Sequence, residues 1–387
     1  MYIYIDFYKQ FQCIGSSCQN SCCNVGWGIS LDPATAQYYQ NVNGEFGDLL
    51  RQNIHWNESK NLAFVNLTAE RKCPFLDKDG LCRVYLECGE EHLSDTCKVF
   101  PRSKLDLSGN SMRGFSMSCE EVLRILYDKT SPVHLCVEGT TDIKSMDDLA
   151  FYELSQFIEW GMELLQNENI PFYAGLATVV AIGLDAEKPF RDQDYESFES
   201  VILRSDHVLQ QFMQAKEDQT PEMEGFAWNF IFGITDTFCH LLNESDLHKK
   251  EILLWKQEIF HMNDQQRRSY LLDCWNNRND HPKHLQFLRR LAAAFFHSHA
   301  MRLVCDTSDS IFLRDLSNYM ILAKIIPLIW DSCPRTNDPA YFSGLSHLAH
   351  HFEQSSLIKK FIWPVIHDLF HPDLYTYAMA FMVLFGE

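Results

Sequence analysis

Apolar positions along the chain follow two rhythms. Residues 2–8 alternate aromatic or branched side chains with others, the period-two signature of a short strand. From about Ser145 onward the spacing becomes three and four, which predicts helices over 146–167, 171–184, 194–216, 222–243, 248–261, 284–305, 311–330 and 355–370. Breaks fall at Asn-Pro, Asp-Pro, His-Pro and Gly positions. Between the two regimes the chain is punctuated by local signals. Asp32-Pro33 starts a helix running through about Tyr39, because Asp caps free backbone N–H groups and Pro fits the first turn. Residues 41–44 end it, and 45–72 carry no clear pattern. Asp77-Lys-Asp-Gly80 is turn chemistry between apolar edges and predicts a small hairpin with Cys73 and Cys82 at its ends. A short helical piece over 89–100 stops at Pro101-Arg102, a hairpin turns at Ser108-Gly109-Asn110, and Ser118-Cys119-Glu120-Glu121 opens a helix. The expected fold is mainly α: a small cysteine-rich α+β region over 1–130, then an irregular all-helical domain over 145–387.

Composition changes this picture little. In 387 residues, 28 Phe, 15 Tyr and 8 Trp supply ample core material. Acidic residues outnumber basic ones by 52 to 33, for a net charge of -19, which argues against nucleic acid or an anionic membrane as partner. The N-terminus, Met-Tyr-Ile-Tyr-Ile-Asp, has no secretion-signal pattern, and the apolar run Met320–Trp330 carries Lys324 and Pro327 and is too short to span a bilayer. The expected location is the cytosol, with no membrane insertion, where thiols stay reduced.

The cysteines change the picture most. Nine of the 14 lie at or before position 119: Cys13, Cys18, Cys22, Cys23, Cys73, Cys82, Cys88, Cys97 and Cys119. The first four fall within eleven residues, separated by Gly, Ser, Gln and Asn, a company with no use in a hydrophobic core. Spacing of C-x4-C-x3-C-C, then C-x8-C, C-x14-C and Cys119, points to thiolate ligation of zinc or of an iron–sulfur cluster. Cys88 reads as a thiol outside the ligand set. Cys119, at the positive end of a helix, would be favoured as thiolate. Two other motifs fail. The radical-type adenosylmethionine signature needs C-x3-C-x2-C, but Val25 stands where its third cysteine belongs, and Gly26-Trp27-Gly28 lacks the strand–turn–helix setting of a dinucleotide-type fold. Arg102 is a candidate for holding a ligand carboxylate or phosphate, with a salt bridge to Glu90 or Glu91 as its alternative. His297 and His299 read as ordinary helix residues, and the aromatic stripes around Trp160 and Trp228 as core.

With these residues in view, the N-terminal part resembles the zinc- or iron-chelating cysteine-cluster family. The matching pieces are the cluster ending in Cys22-Cys23, Cys73-Pro-Phe-Leu-Asp, Gly80-Leu-Cys82-x-Val-Tyr85 and Cys97-x-x-Phe100-Pro101-Arg102. It is similar, more narrowly, to bacterial flagellin lysine-N-methylases, through Tyr8-x-x-Phe11-x-Cys13, the Gly-Trp-Gly after the double cysteine, Gly89-Glu90-Glu91-x-Leu-Ser94-x-Thr-Cys97 and Ser118-Cys119-Glu120-Glu121. The resemblance covers about the first 125 residues. It implies methyl transfer from S-adenosylmethionine to lysines of flagellin with a 4Fe–4S cluster involved, and a metal-ligand set of Cys13, Cys18, Cys22, Cys23, Cys73, Cys82, Cys97 and Cys119. The wider family spaces its cluster C-x2-C-x2-C-C, so Cys13 and Cys18 do not map onto it one to one. Two other classes stay open: a zinc-stabilised flagellar binding or chaperone protein without catalysis, and a metal carrier.

Overall fold

A computed structural model of the chain describes residues 1–241 apart from 20, 25, 27, 58–61, 141 and 219, then parts of 261–273, all of 281–304, scattered positions within 316–349, and 374–385. The protein is mainly α, and among the described residues its strands lie in the N-terminal part.

The chain enters on β1 (Tyr2–Ile5), three residues shorter than the alternation over 2–8 implied, because a tight helical turn follows at Tyr8–Gln10. After the first cysteines come β2 (Ser30–Leu31) and α1 (Pro33–Asn41). The Asp32 side chain accepts the Thr35 N–H at 2.9 Å, and Pro33 occupies the first helical turn, as the sequence requires. Residues 44–65, unreadable from pattern, hold α2 (Gly44–Gln52), β3 (Ile54–Asn57) and β4 (Leu62–Val65). In place of a full hairpin, residues 73–82 form a tight loop with a single bridge between Leu76 and Cys82. Asp77 closes that loop by accepting the N–H groups of Asp79 and Leu81, and Gly80 takes φ +78°. Then follow α3 (Arg83–Cys88), α4 (Asp95–Val99), β5 (Arg102–Leu107), β6 (Asn110–Phe115), α5 (Glu120–Asp128) and β7 (Leu135–Glu138). The β5–β6 hairpin turns on Ser108 and Gly109, both at positive φ, the twist-matched geometry of a two-residue hairpin.

Long helices take over at α6 (Met146–Gln166), α7 (Phe172–Arg191), α8 (Tyr195–Ile202), α9 (Ser205–Ala215), α10 (Pro221–Leu241), α11 (His281–Ala300) and α12 (Leu374–Phe385). Helix α7 runs past the expected end at 184 and carries Pro189 in its last turn, while the segment over 194–216 divides into α8 and α9 at Leu203-Arg204. The helices expected over 248–261 and 355–370, and most of that over 311–330, lie outside the described residues. Among the described residues no helix is long and apolar enough to cross a membrane.

Two sheets and two cores organise these elements. One sheet has the order β5-β6-β1-β7, with β1 parallel to β6 and antiparallel to β7; the other is antiparallel, β2-β4-β3. The four-stranded sheet shares one core with the helices: Phe7 and Phe11 pack on Phe115, and α11 lies against β6, α5 and α6. Helix α11 is buried on nearly every side, so its two arginines must find partners inside the protein. Arg289 donates to the carbonyls of Leu165, Asn167 and Ile170, and Arg290 to those of Leu126 and Tyr127. The Leu165 carbonyl lies in the last turn of α6 and those of Leu126 and Tyr127 in the last turn of α5, so the arginines help cap both helices, while Asn167 and Ile170 belong to the α6–α7 connection. A second, smaller core contains Leu31, Tyr39, Phe46, Leu50, Ala63, Val65, Phe75 and Val84, with buried Cys73 among them.

Candidate metal centre

Three local structures carry the cysteines to the edge of the smaller core. The loop 13–23 begins with a tight turn at Gly15–Ser17, where Cys13 Sγ accepts the Gly15 N–H at 3.4 Å. The loop 73–82 is laced to it by the Cys73 N–H, which donates to the Cys23 carbonyl at 2.8 Å. Cys97 rides on α4, whose cap residue Ser94 accepts the Cys97 N–H at 3.2 Å.

The thiols sort into two groups. Cys22, Cys23, Cys73, Cys82 and Cys97 form an inner group centred on Cys23. Hydrogen bonds from the Cys22 and Cys73 thiols lower the Cys23 thiol to about 3. The same hydrogen bonds, with burial, push Cys22 and Cys73 up. Burial raises Cys97 to about 11, and it raises Cys82 as well, with Cys23 near both. Cys13, Cys18 and Cys119 stand instead around the N-terminus of α5. Cys18 Sγ donates to the Glu120 carboxylate at 3.6 Å, the Gln19 N–H donates to it at 2.9 Å, and Cys13 is felt both by Cys119 and by Cys22, so it borders the inner group. Burial pushes Cys119 up to about 12, although the N–H groups of Glu121 and Val122 pull the other way. The helix end thus favours the thiolate in the direction its position implies, and burial opposes it. Cys88 stands off the inner group, beside Tyr38.

Pattern reasoning missed two residues here. Buried Tyr39 sits among Cys73, Cys82, Cys88 and Cys97, and its hydroxyl donates to the His92 carbonyl at 2.8 Å. Buried Glu120 ties the cysteine loop to α5. Nothing in the spacing distinguishes Tyr39; Glu120 stands in the sequence as a first-turn acid of the helix opening at Ser118-Cys119, and its tie to the cysteine loop is visible only in the folded contacts.

The inner donor set suits a thiophilic metal in kind: five soft ligands from three segments, without a competing carboxylate. In placement it does not close. Among the described residues no group of three or more His, Cys, Asp or Glu side chains is positioned to hold a metal ion. Within the inner group the thiols hydrogen-bond to one another.

Arg102 makes no ion pair with Glu90 or Glu91. Its guanidinium lies over the rings of Phe11 and Tyr8, 5.2 and 5.6 Å from their centroids, beside a cavity of about 380 Å³ between α4, β5 and the end of α11. His297 and His299 are both buried on α11, as helix residues. Burial lowers His297 to about 4.

Fold and site together define a mainly α protein with a thiol-lined N-terminal region. Over 132 residues, 32% of this chain, it is 35% identical to the flagellar biosynthetic protein FliU of Salmonella muenchen, and the match takes in 75% of that protein. The chain belongs to the FliU family. It is also 36% identical over 132 residues to proteins named lysine-N-methylase from Salmonella typhimurium and Salmonella choleraesuis. Those matches cover only 31% of each methylase, so the chain spans about a third of these relatives' length. No family model and no solved structure matches the chain.

Proposed function

We propose that the chain is a protein-lysine N-methyltransferase acting on flagellin, with S-adenosylmethionine as methyl donor and the clustered cysteines as ligands of an iron–sulfur cluster. The observation that carries this reading is the similarity to proteins named lysine-N-methylase and to a flagellar biosynthetic protein. The inner thiols support the metal part of it. Cys22, Cys23, Cys73, Cys82 and Cys97 would exchange their mutual hydrogen bonds for metal–sulfur bonds, with small side-chain rotations supplying the closure. The donor, when bound, offers an activated methyl group on a sulfonium.

The chain's own residues would hold the two substrates in line and exclude water. An excess of carboxylates over the whole chain draws a lysine-bearing partner toward it. One observation favours a second reading, a purely structural metal. Cys23, Cys82 and Cys97 pack against the smaller core, where a bound ion would staple loops that bury few apolar residues. The test is to incubate unmodified flagellin with the anaerobically purified chain and S-adenosylmethionine, then read lysine masses by peptide mass spectrometry. Methylated lysines support the enzyme; tight flagellin binding without methylation supports the structural reading.

A further inference from the structure

A chain with 52 acidic residues places a cationic cavity beside its cysteine region. The cavity, about 380 Å³, is of ligand-binding size, and Arg102, Lys104 and Arg302 reach its wall while no carboxylate does among the described residues. Lys104 leans toward Asp106 at 4.0 Å on the surface. Arg102 and Arg302 have no carboxylate partner among the described residues; Arg102 rests on aromatic faces, which fix its plane without neutralising it. Ser103 Oγ, also in the wall, is buried and has no hydrogen-bond partner among the described residues. Phe100, Leu105 and Met301 complete the wall with apolar surface. Thr96 and Val99 of α4 belong to it too, and α4 carries Cys97.

This is the wrong sign for a lysine. A cationic amine would be repelled, so the cavity cannot serve as the entry channel for the methyl acceptor. It has the right sign for one group of the other substrate, the carboxylate at the amino-acid end of the methyl donor, a group that the lysine side chain lacks. We propose, resting on the methyltransferase reading, that this cavity takes the amino-acid end of the methyl donor. Arg102 and Arg302 bind the carboxylate, and the apolar wall covers the methylenes. Phe100-Pro101-Arg102 would then be a donor-binding motif, set three residues beyond a cluster cysteine, so that donor and cluster are held by one short segment.

The test is calorimetric titration of the full, metal-replete chain with S-adenosylhomocysteine, and with 5′-methylthioadenosine, which lacks the amino-acid end. Arg102→Gln and Arg302→Gln should each weaken S-adenosylhomocysteine by about ten- to a hundredfold, the loss of a charge-assisted hydrogen bond. Arg102→Lys should recover part of that loss, and 5′-methylthioadenosine should bind weakly and be indifferent to all three substitutions. Because Arg102 also packs on Tyr8 and Phe11, Arg302→Gln guards against a folding artefact. The inference is overturned if both glutamine variants bind S-adenosylhomocysteine as the parent does, if 5′-methylthioadenosine binds as tightly, or if the parent binds neither. Methyl transfer to flagellin, measured on the same parent preparation, then decides separately whether the methyltransferase reading stands.

Discussion

Helix α11 reaches the wall of the cationic cavity, and its seat depends on one glycine. A Cβ on Gly161 of α6 would fall 2.3 Å from Phe296 Cε1 and 2.8 Å from its Cζ. The Phe296 ring is wholly buried and held edge-on by Phe157, with centroids 5.3 Å apart, so it has little room to swing away. Gly161→Ala therefore sets two effects against each other. Alanine in a helix interior gains about 1 kcal/mol over glycine. Forcing a methyl group into a filled core costs about 1–3 kcal/mol. With the contact this short, the steric cost falls at the upper end of that range, about 2–3 kcal/mol, leaving a net loss of about 1–2 kcal/mol. Gly225→Ala, at an exposed position of α10, is the control, since a Cβ there meets nothing within 4 Å and only the helix gain remains. Urea unfolding should place Gly161→Ala below the parent and Gly225→Ala slightly above it. If Gly161→Ala is as stable as the parent, or more so, then α6 and α11 do not meet as closely as described.

Other outcomes follow from the same contacts. The buried His297, lowered to about 4 from an ordinary 6.5, stays neutral in the folded state while the unfolded chain takes up protons. Its contribution is complete above pH 6.5 and is lost as pH falls toward 4, about 2 kcal/mol between pH 7 and pH 5. Urea midpoints of His297→Gln at those two pH values should therefore drop less than the parent's; parallel drops would refute the burial. Arg290→Met strands the Leu126 and Tyr127 carbonyls and should cost about 1–3 kcal/mol by the same unfolding assay, with an unchanged midpoint counting against the capping role. Cys23→Ser should lose bound metal on purification where Cys88→Ser and Cys136→Ser keep it, read by elemental analysis; equal loss in all three would dissolve the inner group. Raising ionic strength should raise the KM for flagellin without changing kcat, and a salt-independent KM would remove the role given to the net charge.

What the sequence disclosed was local chemistry. Asp32-Pro33, Ser108-Gly109 and the apolar stripe over 146–167 each determine structure within a few residues, and each forms as expected. Long-range pairing left no such trace. Nothing around Tyr2 announces that it lies parallel to Ser111, and the two-residue strand β2 is made only by meeting β4. Pro189 ought to have ended α7 earlier, but in the last turn its missing N–H costs one bond while Phe190 is buried in the helical core. The candidate ligands were visible as a set, because adjacent thiols among Ser and Asn have no packing role. Their division into a group around Cys23 and a group around Glu120 was not, since it depends on which loops the folded chain brings together.

The measurement that tests the central claim most directly is methyl transfer by one anaerobic preparation, assayed as purified and again after chelator has stripped its metal. Flagellin is offered with methyl-labelled S-adenosylmethionine, and label is sought in N-methyllysine after hydrolysis, with iron, sulfide and zinc measured on the same sample. The account predicts labelled N-methyllysine from the brown, iron- and sulfide-bearing protein and none from the stripped one. A metal-replete protein that binds flagellin and leaves its lysines unlabelled would contradict it.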